Sequence, residues 1–438
     1  MATSKKYLMA AAGAAGGEVS DYWINVRGGT SADYSQGIAV DSSDNIIIGG
    51  FYASDGAGGY DFLVTKYNSS GSLLWERLLG GSSNDIGRAI AVDSSDNIII
   101  TGQTLSDGAG SYDLLTAKFN SSGTLQWDRT LGGSGNDNSY AVAVDSSDNI
   151  IVGGYGTSDG AGADDIMIAK YNSSGTLQWD RTLGGTSDDR CFGITVDSSD
   201  NIIVTGFTLS DGAGGNDIII AKYNSSGTLQ WDRTLGGTGN EFGWGVAVDS
   251  SDNIVITGFT ESDGAGNRDF LIAKYNSSGT IQWQRTLGGT SIDVGYDVTV
   301  DSSDNIVVCG YTQSDGAGGS DILIAKYNSS GTLQWDRTLG ATATDIGYGV
   351  AVDSLDNIVI TAVTAEGAGG DDVLVAKLPS DGSLEGTYGA FTYEDAVLTD
   401  SAASLTDSAA SLTDAAAVLT DAAAVLSETK LYTLYTIS

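Results

Sequence analysis

A ten-residue stretch, AVDSSDNIII, returns along this chain at a constant spacing, and that spacing limits the folds that the chain can adopt. The first Asp of the motif recurs every 52 residues, at Asp41, Asp93, Asp145, Asp197, Asp249, Asp301 and Asp353. A fixed period of this size marks a repeat architecture, in which each repeat is one supersecondary unit and neighbours share a core. The 438 residues therefore predict one large repeated body with short additions at its ends.

Each repeat contains four short runs that favour β-strands. Over residues 245–289 they are GVAV, NIVITGF, DFLIAKY and TIQWQRTL. Val, Ile, Thr and aromatic residues dominate these runs, and clusters of Gly, Asp, Asn and Ser separate them. The segments DSSDN and NSSG have the composition of tight turns. Four antiparallel strands in each of seven copies predict an all-β, seven-bladed β-propeller.

The two ends of the repeat series predict how the ring closes. A Trp in the fourth strand recurs at Trp23, Trp75, Trp127, Trp179, Trp231, Trp283 and Trp335. The next position in this series is Thr387, where the repeat text has ended. The seventh repeat therefore lacks a fourth strand, whereas the N-terminal DYWINVRGG is a fourth strand without a blade. We expect the Trp23 strand to complete blade seven, which removes a pair of free sheet edges.

One face of the predicted disc carries the sequence variation. It holds the loop between strands two and three and the loop between blades, and its variable positions include many aromatic and Arg residues. Such residues on a rigid scaffold are typical of recognition surfaces, although they could also fill the wedges between blades. The predicted ligand-binding residues are Tyr34, Gln36, Arg88, Tyr140, Arg190, Phe192, Phe242, Trp244, Tyr296, Tyr348, Tyr60, Tyr112 and Arg268.

Other repeated polar residues indicate structural roles. An acid precedes every first strand, at Asp33, Asp85, Asp137, Asp189, Glu241, Asp293 and Asp345. These acids could collect a hard cation, but local capping of backbone N–H groups explains them more simply. A Lys in strand three and an Arg in strand four also recur, which favours pairing with Asp and stacking on the Trp series. No nucleophile–base pair is visible, so we expect no enzyme and no metal or other cofactor.

Composition argues against several partners. The formal net charge is −36 and the pI is near 4.1, which does not suit a nucleic-acid surface. His is absent, which removes the commonest catalytic acid–base group. No run of 18 apolar residues is present, so we expect no membrane insertion. The two cysteines, Cys191 and Cys309, predict no disulfide framework.

The chain ends differ from the propeller, which we assign to residues 21–384. Residues 1–20 form an N-terminal arm, whose KKYLMAAAGAAGG stretch could also be a weak signal peptide. Residues 385–438 form a tail in which Leu398, Leu405, Leu412 and Leu419 repeat every seven residues. Leu and Ala alternate there at spacings of four and three, the seam of a coiled coil, and predict a helix over 398–427. Because Thr, Asp and Ser fill the remaining positions, a β or extended tail stays open.

The stretch WDRTLGGTGNEFGWGVAVDSSDNIVITGFTESDGAG resembles the repeat of a seven-bladed β-propeller family over roughly residues 21–384. The whole layout, with KKYLMAAAGAAGG before the propeller and SLTDSAASLTD after it, resembles propeller-containing structural proteins of tailed phage virions. That resemblance implies a virion protein for attachment to host-surface glycan or protein, or for particle decoration. It would be anchored to other virion proteins through its termini and form a homo-oligomer. A secreted or cell-surface bacterial lectin or adhesin is the alternative, and a polysaccharide hydrolase or lyase is a more remote one.

Overall fold

A computed structural model describes residues 3–9, 21–53, 56, 58–367, 369–417, 419–422, 424 and 427–430. These residues form seven antiparallel sheets of five or six strands each. The predicted all-β, seven-bladed propeller is confirmed. No helix that could cross a membrane occurs in the described part of the chain.

Each blade takes its strands in sequence order from the central axis outward. The innermost strands are β3 (Asp33–Val40), β7 (Asp85–Val92), β11 (Asp137–Val144), β15 (Asp189–Val196), β19 (Glu241–Val248), β23 (Asp293–Val300) and β27 (Asp345–Val352). The second strands are β4 (Ile46–Tyr52), β8 (Ile98–Thr104), β12 (Ile150–Gly156), β16 (Ile202–Thr208), β20 (Ile254–Thr260), β24 (Ile306–Thr312) and β28 (Ile358–Thr364).

The outer strands complete the blades. The third strands are β5 (Asp61–Tyr67), β9 (Asp113–Phe119), β13 (Asp165–Tyr171), β17 (Asp217–Tyr223), β21 (Asp269–Tyr275), β25 (Asp321–Tyr327) and β29 (Asp372–Leu378). The fourth strands are β6 (Leu73–Gly80), β10 (Leu125–Gly132), β14 (Leu177–Gly184), β18 (Leu229–Gly236), β22 (Ile281–Gly288), β26 (Leu333–Gly340) and, in blade seven, β2 (Tyr22–Gly28). Trp23 lies opposite Lys377 of β29, so the predicted closure of blade seven is confirmed.

The core consists of apolar clusters between neighbouring blades. All seven residues of β17, DIIIAKY, are buried. Because successive side chains of a strand point to opposite faces, Ile219 packs into the cluster shared with blade three, whereas Ile218 and Ile220 pack into the one shared with blade five. A strand buried on both faces needs a continuous run of apolar residues rather than an alternation of apolar and polar ones. This explains why the sequence of the repeat is rich in Ile.

The DSSDN turn owes its constancy to a specific set of contacts. Asp197 accepts hydrogen bonds from the backbone N–H groups of Ser199 and Asn201, each at 2.9 Å, and its Oδ2 lies 2.7 Å from Lys222 Nζ. Burial alone would raise the pKa of Asp197, but the hydrogen bonds from Lys222 and Asn201 outweigh it and hold the pKa below its usual range. The pairing of the repeated Lys with Asp is therefore confirmed.

The same turns also link each blade to the next. Ser198 donates from its backbone N–H and its Oγ to Asp252 of the following blade, at 2.9 and 2.7 Å. Ser354 of blade seven makes the same pair of bonds to Asp44 of blade one, so the series is circular. Each accepting Asp adopts a positive φ of about 60°, a conformation that Asp tolerates better than most residues. The constant face of the disc is thus a closed ring of seven polar links.

The tail is extended in its described residues, and the prediction of a helix over 398–427 is therefore wrong. Its strands are β30 (Gly386–Tyr388), β31 (Phe391–Asp395), β32 (Thr399–Ala402), β33 (Thr406–Ala409), β34 (Thr413–Ala416), β35 (Thr420–Ala422) and β36 (Ser427–Lys430). From β31 onward each one adds a fifth strand to the outer edge of a blade, running backward from blade six to blade one. Blade seven receives β1 (Thr3–Met9) instead.

The seven-residue period of the tail equals one step around the ring. Gly288 of blade five lies opposite Thr399, Gly236 of blade four opposite Thr406, and Gly184 of blade three opposite Thr413. Seven extended residues span about 23 Å, which carries the chain from one blade edge to the next. The heptad therefore reflects the spacing of the blades and not the seam of a coiled coil.

Side chains fix the tail in this register. Leu405 is 7% exposed and packs into the cluster between blades four and five. Asp407 accepts a hydrogen bond of 3.3 Å from Tyr275 of the neighbouring blade, and Ser404 donates twice to Asp263. The equivalent Asp414 and Asp400 accept from Tyr223 and Tyr327. Each heptad thus connects two blades as well as covering one edge.

Parts of both end segments lie outside the described residues. The predicted N-terminal arm, residues 1–20, is described only at 3–9, and the end of the tail, residues 431–438, is not described. Where they are described, both ends pair with blades of the same chain. Attachment to other virion proteins through these ends stays a prediction.

Candidate functional site

A β-bulge in every innermost strand positions one side chain at the central channel. In β19, Gly243 pairs with Gly258 and Gly245 with Thr257, so Trp244 is the extra residue between them. Bulges interrupt pairing and re-aim a side chain. The same register shift occurs in all seven blades. The residues so presented, called here the bulge ring, are Gln36, Arg88, Tyr140, Phe192, Trp244, Tyr296 and Tyr348.

The bulge ring lines a cavity of about 410 Å³ on the axis. All seven of its members were predicted as ligand-binding residues, and the structure brings them together. Each is half-buried, which leaves part of every side chain facing the channel. Deeper lining comes from the residues that follow the bulges, including Ile38, Ile90 and Val246. The cavity therefore combines apolar walls with a mixed aromatic and polar ring.

Ring contacts run along most of the bulge ring. Phe192 and Trp244 stack with their centroids 4.1 Å apart, and Trp244 meets Tyr296 edge-on at 5.3 Å. Tyr296 and Tyr348 are 5.0 Å apart. The members also pack against one another across blades, as the wedge-filling alternative expected for Phe192 and Tyr296. Such contacts hold the side chains in place, which lowers the entropy that a ligand would otherwise have to remove.

The polar part of the ring lies in blades one to three. The Arg88 guanidinium sits 4.8 Å from the centroid of the Tyr140 ring, and its Nη1 donates to Gln36 Oε1 at 2.9 Å. Two further donors, Arg88 Nε and Trp244 Nε1, are buried and have no acceptor within the described part of the chain. Buried donors normally find a partner, so these two atoms are exceptions that lie beneath the surface of the cavity wall.

Sequence reasoning missed one residue of the cavity, Asp297. The position directly after each bulge is otherwise Gly or Ala, as at Gly37, Ala89 and Gly245. At Gly245 there is no room for a side chain, because a Cβ would lie 2.8 Å from the Cα of Asp297. Only the fact that an acid stands in a column of Gly and Ala could have revealed Asp297 in advance.

Asp297 is tied to the channel wall but stays partly exposed to the cavity. Its Oδ1 accepts from its neighbour Val298 N at 2.8 Å, and its Oδ2 accepts from Val350 N of blade seven at 2.9 Å. Burial raises the pKa of its carboxyl to about 7, and the two backbone hydrogen bonds oppose that rise. Each oxygen retains a lone pair for a further donor.

A second cavity of about 340 Å³ adjoins the bulge ring, with Tyr140, Phe192 and Trp244 shared between the two. It contains two more predicted residues, Arg190 and Phe242. Arg190 Nε donates to Asp164 at 2.7 Å, and its guanidinium lies 4.5 Å from the centroid of the Tyr155 ring. Tyr155 and Phe207, on second strands, also line this cavity and were not predicted, because variation was sought in the loops and at the first strands.

Four predicted residues lie outside both cavities. Tyr34 donates to Asp371, and Tyr60 packs edge-on against Phe51. Arg268 pairs with Glu261 at 2.8 Å, and Tyr112 lines neither cavity. Loop position alone therefore did not separate the residues of the channel from those held by local contacts.

The acids before the first strands cap the backbone, as predicted. Asp189 Oδ2 accepts from Gly185 N at 2.7 Å and from Ser210 Oγ at 2.7 Å. Equivalent bonds reach Asp85, Asp137 and Glu241. The repeated Arg stacks on the Trp of its own strand, for example Arg77 at 5.3 Å from the Trp75 centroid. No cluster of three or more candidate metal ligands occurs among the described residues.

The chain is similar to known propeller repeats. Residues 74–108 match the family described as beta-propeller repeat, and residues 146–177, 198–229 and 302–333 match a beta-propeller domain of unknown function, DUF5122. An uncharacterised WD repeat-containing protein, L264, of Acanthamoeba polyphaga mimivirus is 22% identical over 449 residues, covering 71% of this chain and 32% of that protein. This chain thus spans about a third of that relative's length.

The chain is also similar to solved structures, at low identity and low TM-score. Polysaccharide lyase Uly1 has a TM-score of 0.45 and 8% identity, covering 80% of this chain and 90% of the lyase. The tail fibre of Staphylococcus aureus phage P68 has a TM-score of 0.27 and 10% identity, covering 79% of this chain and 91% of the fibre chain. Scores of this size carry no argument about function. The sequence matches and the structure agree on a β-propeller, and the structure gives it seven blades.

Proposed function

We propose that this chain is a non-catalytic binding module whose bulge ring holds a glycan of a host or cell surface. The observation that carries the proposal is the bulge in all seven innermost strands, which presents the most variable side chains of the repeat to one cavity. A scaffold of nearly identical repeats that varies mainly around a channel is suited to recognition, because aromatic and Arg side chains supply most binding energy at protein surfaces.

The chemistry of the cavity favours a sugar. Sugar rings offer apolar C–H faces that pack on aromatic side chains and hydroxyl groups that both donate and accept hydrogen bonds. Trp244 and Tyr296 supply the aromatic surface, the guanidinium of Arg88 supplies a charged donor group, and Asp297 supplies an acceptor. Catalysis is not proposed, since the chain has no His and Asp297 is the single acid among the residues lining this cavity.

The setting we propose is the surface of a virion, with a secreted or cell-surface adhesin as the alternative. The support is the layout of the sequence, which resembles propeller-containing virion proteins. Contacts with other virion proteins and a homo-oligomeric state belong to the same proposal. Because the described tail packs on its own blades, such contacts would use the outward surface of the tail and not a Leu/Ala seam.

The test measures binding of the full chain to a glycan array and to bacterial cells. We expect Trp244→Ala combined with Arg190→Ala to weaken binding at least tenfold and to lower the melting temperature by only a few degrees. Trp244→Phe keeps the stack on Phe192 and removes the indole N–H, so it separates ligand binding from packing. Leu355→Ala, at a residue 75% exposed on the opposite face, is the matched control and should change neither property. Wild-type binding by the double variant would refute the proposal.

A further inference from the structure

The two charged side chains that line the axial cavity lie on opposite sides of the channel. Arg88 belongs to blade two and Asp297 to blade six, three steps apart around a ring of seven. Among the described residues that line the cavity, they are the only charged ones. Neither is paired with the other, because Arg88 bonds to Gln36 and Asp297 bonds to the backbone of Val298 and Val350. The cavity is therefore electrically polar across its width.

Each charged group retains capacity for a ligand. Arg88 lines the cavity and donates from Nη1 to the neutral amide of Gln36, and its planar guanidinium suits a phosphate or carboxylate. Asp297 accepts only from two backbone N–H groups in this structure, although a carboxylate can accept about four hydrogen bonds. The nearest aromatic members of the bulge ring, Trp244, Tyr296 and Tyr348, come from blades five to seven, and their faces favour a cation near them.

We propose that the axial cavity selects a dipolar glycan residue, with an ammonium group bound by Asp297 and a phosphate or carboxylate bound by Arg88. The inference rests on the proposed glycan-binding function and names the class of sugar that the same site takes. A neutral sugar would leave the charges of Arg88 and Asp297 unpaired inside the cavity. A ligand with one charge of each sign would form an ion pair with each of them. A purely cationic or purely anionic sugar would be attracted by one group and repelled by the other.

Among the described residues, no basic side chain forms an ion pair with Asp297. Its own strand contributes Tyr296, the second strand of its blade contributes Cys309 as its cross-strand neighbour, and the adjacent innermost strands contribute Gly245 and the backbone of Val350. None of these residues is charged at neutral pH. An ammonium group is thus the partner that the surroundings of Asp297 lack.

The first experiment is titration calorimetry of the full chain with four probes: glucosamine 6-phosphate, glucose 6-phosphate, glucosamine and glucose. The first probe carries both charges, the next two carry one each, and the last carries none. A charge-assisted hydrogen bond is worth about tenfold or more in affinity. We expect glucosamine 6-phosphate to bind about tenfold or more tightly than either singly charged probe. Equal affinities for all four probes, or no binding of glucosamine 6-phosphate, would overturn the inference.

Two variants assign the charges to their residues. Asp297→Asn keeps an acceptor for Val350 N and should remove the advantage of glucosamine 6-phosphate over glucose 6-phosphate, leaving its advantage over glucosamine. Arg88→Gln should do the reverse. Asp297→Gly introduces the residue found at the equivalent positions Gly37, Gly193 and Gly349. It should also remove the advantage of glucosamine 6-phosphate over glucose 6-phosphate, and it therefore checks the result of Asp297→Asn with a different side chain. A parallel decrease for all probes would mean that the variants only disturb the fold, and would refute the assignment.

The pH dependence gives an independent readout. Burial raises the pKa of the Asp297 carboxyl to about 7, so the carboxylate that an ammonium needs is lost as the pH falls below that value. We expect the ratio of the two affinities, glucosamine 6-phosphate over glucose 6-phosphate, to shrink between pH 7 and pH 5, a range in which the amine of the sugar stays protonated. Comparing the two phosphates cancels the titration of the phosphate itself. If the probes fail but Trp244→Ala combined with Arg190→Ala weakens cell binding, the dipolar ligand is wrong and the binding function stands.

Discussion

Leu405→Ala tests whether the tail is held to the propeller by its heptad leucines. Leu405 is 7% exposed and sits in the cluster between blades four and five. Replacing a buried Leu by Ala costs about 2–5 kcal/mol, and the lower part of that range applies where the site can collapse. Because the tail lies at the outer edge of the sheets, we expect about 2–3 kcal/mol.

The loss should appear as local opening of the tail and not as global unfolding. The affected segment, residues 399–409, covers the edges of blades four and five through β32 and β33. A cost of 2–3 kcal/mol corresponds to a decrease in amide protection of about 30- to 150-fold. Hydrogen exchange followed by mass spectrometry would therefore show faster exchange in 399–409, while strands such as β17 keep the protection that they have in the unaltered chain.

Leu74→Ala is the matched control for this prediction. Leu74 is 50% exposed, so its loss should cost under about 0.5 kcal/mol and leave the exchange of the tail unchanged. If Leu405→Ala leaves the exchange of residues 399–409 unchanged, the tail does not depend on its leucines and the packing argument fails. If β17 and the tail lose protection equally, the tail is part of one cooperative unit with the blades.

Two further predictions concern charge inside the blades. Lys222→Met leaves the buried Asp197 without its ammonium partner at 2.7 Å, and breaking such a pair should cost about 3 kcal/mol; a melting temperature within one degree of wild type would contradict this. The melting temperature should also pass through a maximum near pH 4. Burial raises the pKa of Asp217 to about 6, so its contribution is complete below about pH 4 and is lost as the pH rises from about 4 to 6. The pKa of Asp197 is held low, so its contribution is lost as the pH falls below about 4. A melting temperature that rises steadily from pH 4 to pH 8 would refute the assignment.

Much of the fold follows from the sequence because every blade repeats its text. The Trp series predicted the blades, and the misplaced Trp23 predicted how the ring closes. The tail shows where such reasoning stops, since a period of seven fits both a coiled-coil seam and one step between blade edges. The deciding signal was composition: the Thr, Asp and Ser residues between Leu398 and Leu405 favour strands and turns over a helix.

The candidate site was predicted less completely. Variation among the repeats identified all seven members of the bulge ring, but it could not separate them from Tyr34 or Arg268, which are held by local contacts. The reason is that the bulge is an irregularity of the backbone, and its position cannot be predicted from the residue types. Asp297 was missed because variation was sought among large side chains, whereas its signal was a charge in a column of small residues.

The tail also has a consequence for how this protein can change over time. Nearly identical repeats recombine readily, and each event adds or removes a whole blade of 52 residues. The strands that cover the outer edges come from a separate segment with its own period of seven residues. A gained blade would therefore have an uncovered edge until a heptad was gained as well, and a lost blade would leave one heptad without a place to bind. The number of strands in the tail must therefore match the number of blades that it covers. A repeat of 52 residues and a repeat of seven residues have to change in number together.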